Sequence, residues 1–415
     1  MRTGRLIGAS VAAALGLAVL PALSASADAV RNAEYWLDEY GIRDAWKVSQ
    51  GAGVTIAVID TGVDPNVPEL KGAVLRGADF SGLGDQYGWA PVGTESAVHG
   101  TLVASIAAGR GTGANAGFIG VAPRAKILPV SIGFEEGAVD SDVQIAEAVR
   151  WAVDNGADVI NMSLTRNTLE WPQLWDDAFL YAAEHDVVVV AAAGNRSSGT
   201  TVVGAPATMP GVLTVAGVDR AGVASDDASS QGITIGVAAP SEELIGVAPG
   251  GGYMYWNGTS GAAPIVSGVV ALVRSAFPEL DAANVINRIV STAKDVGEPG
   301  QDAVYGYGVI DAKAAVTARV PLVDENPMGD LAEWVKLYRP ADAPPVVLPT
   351  PVVVVPEPDQ VVPEAAADPV GVIIPPVDLL GRVGSGALAV GVFLFLLGSI
   401  TVWTWRRVEA ARRSR

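Results

Sequence analysis

The sequence predicts an α/β protein built on a mostly parallel β-sheet with helices covering both faces. Three observations carry that expectation. Short, near-continuous apolar runs rich in β-branched residues, of which 54–60 is the first, read as strands buried on both faces. Longer segments repeat their apolar residues at intervals of three and four, the period of a helix with one buried face. The two kinds alternate along the chain, and such alternation makes right-handed βαβ crossovers and a parallel sheet.

The run 54–60 ends on Asp60, and Thr61-Gly62 turns the chain at once. His99-Gly100-Thr101 opens a helix with Leu102, Val103, Ile106 and Ala107 on one face, ended by Gly109. A strand at 126–132 precedes a helix at 143–155, capped by Ser141 or Asp142 and stopped by Gly156. Strands are expected at 157–164, 186–195, 212–218 and 233–238, with a helix at 171–184 between the first two. In Asn257-Gly258-Thr259-Ser260-Gly261-Ala262-Ala263-Pro264, Thr259 reads as an N-cap and Pro264 is tolerated in a first turn. Ser260 is therefore expected at the N-terminus of a long apolar helix. A helix at 282–294 closes the domain.

In a parallel sheet, reactive groups gather at the carboxyl ends of the strands. Asp60 and Asn195 stand at strand ends, and His99 and Ser260 at helix starts, so all four are expected at one edge. A serine hydroxyl becomes a useful nucleophile only when a base takes its proton. His99 is the natural base, because the only other histidine, His185, sits just before a strand and reads as structural. Asp60 would hold the tautomer of the imidazole and stabilise the imidazolium; a carboxylate ending a buried strand is otherwise costly. The backbone N–H of Ser260 and the side-chain amide of Asn195 are the candidate oxyanion donors.

Composition removes other chemistries. The chain has 415 residues, enough for a large core plus appendages, and a formal net charge of -18, which argues against nucleic acid as a partner. With no cysteine, thiol nucleophiles, thiolate metal sites and disulfides are all excluded.

The two ends read as membrane signals. A basic start, an apolar run at 6–23 and Ala25-Ser26-Ala27 read as a secretory signal peptide over 1–27, with an uncleaved N-terminal anchor as the alternative. No charged residue lies between Arg382 and Arg406, so a transmembrane helix is expected at 383–405, with Trp403 and Trp405 at an interface. Five arginines in the tail 406–415 place the C-terminus in the cytoplasm and the body outside. Residues 321–382, rich in Pro, Val and acids, read as a stalk, of which about forty residues in polyproline conformation would reach roughly 120 Å. Within it, 331–338 is a candidate docking segment against the body at 28–320.

Four blocks carry a family resemblance. Ala57-Val58-Ile59-Asp60-Thr61-Gly62, His99-Gly100-Thr101-Leu102-Val103-Ala104-Ser105, Ala191-Ala192-Ala193-Gly194-Asn195 and Gly258-Thr259-Ser260-Gly261-Ala262-Ala263-Pro264 resemble the signature blocks of the subtilisin-like serine peptidases, in that family's order. The resemblance implies a three-layer subtilisin-like fold and endopeptidase activity on extended polypeptides, with Asp60, His99, Ser260 and Asn195 catalytic. It also implies substrate-binding roles for Ser163, on the strand that lines the cleft, and Gly204, on the pocket floor. Calcium is the family's usual stabilising ion, but no EF-hand spacing appears, no ligands can be assigned, and no metal or other cofactor enters the chemistry. Gly261 stands where the family commonly has Met, and Thr165 where many relatives have Gly.

Signal peptide, peptidase body, proline-rich stalk and anchor together resemble the mycosins, membrane-anchored peptidases of actinobacterial type VII secretion. The lead-in from Tyr35-Trp36 to Ala45-Trp46 is similar to theirs, whereas the disulfides usual in mycosins cannot form here. The implied partners are polypeptide substrates, the membrane and type VII secretion components. The alternative is a structural subunit that stabilises a membrane secretion complex, with proteolysis secondary.

Overall fold

A computed structural model of the protein describes residues 29–94, 96–134 and 139–339. The expected signal peptide, the stalk beyond Arg339, the transmembrane helix and the basic tail lie outside the described residues.

Three short helices lead in, α1 (Ala29–Ala33), α2 (Trp36–Glu39) and α3 (Ile42–Ala45). Trp36, Leu37 and Ile42 are fully buried, and the Arg31 guanidinium donates to the carbonyls of Gly117 and Ala116, each at 3.0 Å. Next come β1 (Thr55–Asp60), β2 (Ala78–Asp79), α4 (His99–Ala108), β3 (Lys126–Ser131), α5 (Ser141–Asp154), β4 (Val159–Met162), α6 (Leu174–Glu184) and β5 (Val188–Ala192). The second half holds β6 (Leu213–Val218), β7 (Ile235–Pro240), β8 (Leu244–Val247), β9 (Tyr253–Trp256), α7 (Thr259–Ala276), α8 (Ala282–Thr292), α9 (Ala312–Thr317) and α10 (Leu331–Tyr338).

Seven strands form one sheet in the order β2-β3-β1-β4-β5-β6-β7, and every pairing in it is parallel. The chain leaves β1 for β3 on one side and returns to β4 on the other. Right-handed crossovers in opposite directions put α4 and α5 on opposite faces. Helix α7 packs on α4 and runs against β4 to β7, while α5 pairs with α6. The reversal of strand order at β1 opens a crevice at its carboxyl end, where Asp60 lies. Helix α7 is apolar enough by composition to cross a bilayer, but 78% of its apolar window is buried in the domain, so it is a core helix.

Several boundaries differ from expectation for identifiable reasons. β5 ends at Ala192, and Gly194 at φ +101° turns the chain, so Asn195 sits beyond the strand. β7 starts only at Ile235, because Ile233 is 85% exposed. The cap of α5 is Asp140, whose carboxylate accepts from the Asp142 N–H at 2.8 Å, rather than Ser141 or Asp142. The cap position of α7 is Gly258, and Thr259 is the first helical residue. Its hydroxyl is occupied elsewhere, accepting from Gly194 N–H and donating to Asn195 Oδ1, each at 3.0 Å.

Residues 321–339, read from composition as the start of the stalk, lie along the body. Asn287 and Asn284 donate to the carbonyls of Pro321 and Val323. Helix α10 docks on α6, with the Trp334 and Trp171 rings 4.4 Å apart. Arg339 closes the contact through Asp176, Nε to Oδ2 2.6 Å. Asp176 also accepts from Trp171 Nε1 at 2.7 Å.

Candidate active site

Asp60 is the last residue of β1, and its side chain has no exposure to solvent. Its Oδ1 accepts from the Thr61 N–H at 2.7 Å, and both carboxylate oxygens face His99 Nδ1, at 2.8 and 2.9 Å. An ionised carboxylate can only accept, so Nδ1 carries the proton and Nε2 is left with its lone pair. The ring opens α4 and is 25% exposed, with one side packed at an interplanar angle of 81° against Trp256. Burial of the ring pushes its pKa down, but the Asp60 charge and hydrogen bond outweigh that, so His99 titrates above the ordinary value of 6.5. The protonated pair thus adds stability below pH 6.5 that is lost as pH rises through the raised value.

The seat of His99 is set by backbone contacts. Thr61 Oγ1 accepts from the Gly100 N–H at 3.0 Å, tying the turn after β1 to the start of α4. A Cβ on Gly100 would lie 2.3 Å from the Gly62 carbonyl oxygen, and one on Gly62, at φ +92°, would lie 2.6 Å from that of Ala90. Neither position admits a side chain without moving backbone.

Ser260 is the second residue of α7 and half-buried. Its N–H belongs to the first turn, where no carbonyl of the helix can accept it. Its hydroxyl donates to the Ser163 carbonyl at 3.1 Å, and the Ser163 hydroxyl donates back to the Ser260 carbonyl at 2.8 Å. Among the described residues, no hydrogen bond joins Ser260 to His99. Ser163 belongs to a longer chain, accepting from Asn161 Nδ2 at 3.0 Å while Asn161 Oδ1 accepts from Ser267 in the middle of α7. Its side chain therefore braces the helix that carries Ser260.

The Asn195 amide is oriented by its neighbours. Oδ1 accepts from the Thr259 N–H at 2.7 Å, a group that can only donate, which fixes the oxygen toward α7 and frees Nδ2 to donate. A Cβ on Gly258 would come within 3.0 Å of that nitrogen. Gly204 is buried, and its Cβ would lie 1.7 Å from the Arg166 carbonyl oxygen and 2.8 Å from Thr165 Oγ1. It packs against the segment that continues from Ser163, with Arg166 N–H donating to the Ala205 carbonyl at 2.7 Å.

Asp60 and His99 are thus in direct contact, Asn195 reaches the start of α7, and Ser163 bonds Ser260. His185 ends α6 beside β5 and bonds the Tyr181 carbonyl, remote from this group in the topology. Missed by the sequence reading were the Asn161–Ser267 brace, Thr259 as a link to Asn195, and the β8–β9 hairpin beside His99. Two apolar runs flanking Pro249-Gly250-Gly251-Gly252 were the available signal for that hairpin. Among the described residues, no group of three or more His, Asp or Glu is placed to hold a metal ion.

A carboxylate-bound imidazole at a strand end, with a serine at a nearby helix start, is the layout of a serine hydrolase on a parallel sheet. The subtilase family, peptidase S8, matches residues 51–308, and the chain belongs to that family of subtilisin-like serine endopeptidases. Mycosin-1 of Mycobacterium tuberculosis is 35% identical over 341 residues, covering 69% of this chain and 74% of the relative. Fervidolysin of Fervidobacterium pennivorans is 35% identical over 318 residues, but this chain spans only 44% of its length. A crystal structure of MycP1 from Mycobacterium smegmatis superposes with a TM-score of 0.58 at 32% identity, covering 69% of this chain and 85% of that one. The MycP3 protease from the type VII (ESX-3) secretion system gives 0.57 at 34% identity, covering 69% and 88%.

Proposed function

We propose that this chain is a membrane-anchored extracellular serine endopeptidase that cleaves polypeptides through an acyl-enzyme and works alongside a type VII secretion system. The observation that carries the chemistry is His99 Nδ1 held by both oxygens of a fully buried Asp60, which leaves Nε2 available as a base. The secretion role rests on likeness to mycosins, and the anchor on the uncharged segment 383–405.

In this reading, rotation of the Ser260 side chain away from the Ser163 carbonyl brings Oγ to His99 Nε2. His99 takes the hydroxyl proton as Oγ attacks the scissile carbonyl, and Asp60 stabilises the imidazolium. The Ser260 N–H and Asn195 Nδ2 donate to the developing oxyanion. His99 returns the proton to the leaving amine, giving the acyl-enzyme, and then activates the water that releases the acid product. A fluorophosphonate probe should label Ser260 of the full chain, as read by peptide mass spectrometry. Ser260→Ala should abolish labelling and lower peptide turnover roughly 10⁵- to 10⁶-fold, as removing a triad member does in subtilisin. Unlabelled Ser260 with no peptide hydrolysis overturns the proposal.

A further inference from the structure

The β8–β9 hairpin touches both catalytic helices. Leu244 and Trp256 are direct partners across it. Leu244 is fully buried against the first turn of α7, where a Cβ on Gly261 would lie 2.2 Å from Leu244 Cδ1 and 3.4 Å from Trp256 Cζ2. The place of a side chain at 261 is thus already filled by Leu244. Trp256 packs on the other side against the His99 ring, centroids 5.6 Å apart.

The hairpin is held at several points, among them the Tyr253 hydroxyl of β9, which donates to Glu69 Oε1 at 2.5 Å. At its base, the Gly258 N–H donates to the Ser241 carbonyl at 2.7 Å, and the Glu243 N–H to Asn257 Oδ1 at 2.8 Å. Along α4, the Val247 N–H donates to Ser105 Oγ at 3.0 Å. At the tip, the Gly250 N–H donates to Asp64 Oδ2 at 2.8 Å. Hydrogen bonds to Ser163 and Asn195 tie Ser260 and Thr259 at the start of α7, while Gly261, whose missing side chain widens its backbone freedom, is bounded by packing on Leu244.

We infer that Leu244 and Trp256 are positioning residues. Leu244 supplies to the first turn of α7 the side chain that Gly261 lacks, and Trp256 holds the His99 ring. One cross-strand pair therefore sets the distance over which the proton moves from Ser260 to His99. The inference rests on the acyl-enzyme reading above.

The test measures the rate of fluorophosphonate labelling and the kcat and KM for fluorescent casein, using the full chain. Leu244→Ala and Trp256→Ala should each slow labelling and kcat roughly 10- to 100-fold, the scale of a misplacement near 1 Å, with the far-UV spectrum retained. Gly261→Met alone should be slow, because its Cβ collides with Leu244. Leu244→Ala/Gly261→Met should recover labelling to within about threefold of the parent, because volume is restored. If Leu244→Ala does not fold, Leu244→Val reads the same effect at smaller size. Labelling at the parental rate in Leu244→Val and Trp256→Ala, or a double variant that regains melting temperature but not labelling, overturns the positioning role alone. An unlabelled parent overturns the acyl-enzyme reading and this inference with it.

Discussion

Two buried carboxylates, Asp60 and Asp176, show how the same group serves opposite ends. Asp60 has no exposure and Asp176 is only 5% exposed, and each is paired with a base and with a further donor close by in sequence. Asp60 faces His99, an imidazole whose pKa the carboxylate holds above its ordinary value. Asp176 faces the planar guanidinium of Arg339, which is 23% exposed. A carboxylate paired with a titratable base can drive proton transfer, while one paired with a permanent cation can only hold two segments together. The first pair lies at the carboxyl end of β1; the second fastens residues that follow α10 to α6.

The contrast can be broken by mutation. Asp60→Asn should lower kcat about 10⁴-fold, through the wrong tautomer of His99, while the melting temperature changes little. Steady-state kinetics and calorimetry on the same preparation decide this, and a variant that melts early with kcat intact would place Asp60 with Asp176. Asn195→Ala, which removes a donor and no charge, should cost about 10²- to 10³-fold in kcat with KM nearly constant. The acid limb of kcat/KM should inflect above pH 6.5, because the base must be neutral and Asp60 raises its pKa. In Asp60→Asn that inflection should fall, since the downward push of burial is then unopposed. Asp176→Ala should leave kcat within about twofold and cost about 3 kcal/mol, the low end for a broken buried pair, because Arg339 keeps contact with water. A fall of roughly 5–10 °C in Tm would register it.

The sequence made one of these carboxylates legible and hid the other. Asp60 ends a run of β-branched residues, where a charge demands a partner, and for an imidazole partner the chain offers only two histidines. Asp176 and Arg339 are 163 residues apart with no periodicity to link them, so their meeting depends on the docking of α10. The central strands were readable because burial on both faces imposes an apolar run, whereas their ends moved by up to three residues where a glycine turn or an exposed side chain intervened. Thr259 resembled a cap because capping is what threonine does before a helix. Its tertiary partners, Gly194 and Asn195, claimed the hydroxyl instead. Leu244 over Gly261 is a contact between elements, and no local pattern announces it.

The close approach of Gly100 to Gly62 bears on how this sequence can vary. A Cβ on Gly100 would strike the Gly62 carbonyl and one on Gly62 would strike the Ala90 carbonyl, so main chain closes each position to a side chain on its own account. A library randomised at position 100 should return glycine almost alone, and randomising 62 alongside it should not widen the choice, since Ala90 already closes that side. The two signature blocks therefore carry separate glycine requirements, and a chimera that takes the Asp60 block from one parent and the His99 block from another should fold as long as each block keeps its own glycine.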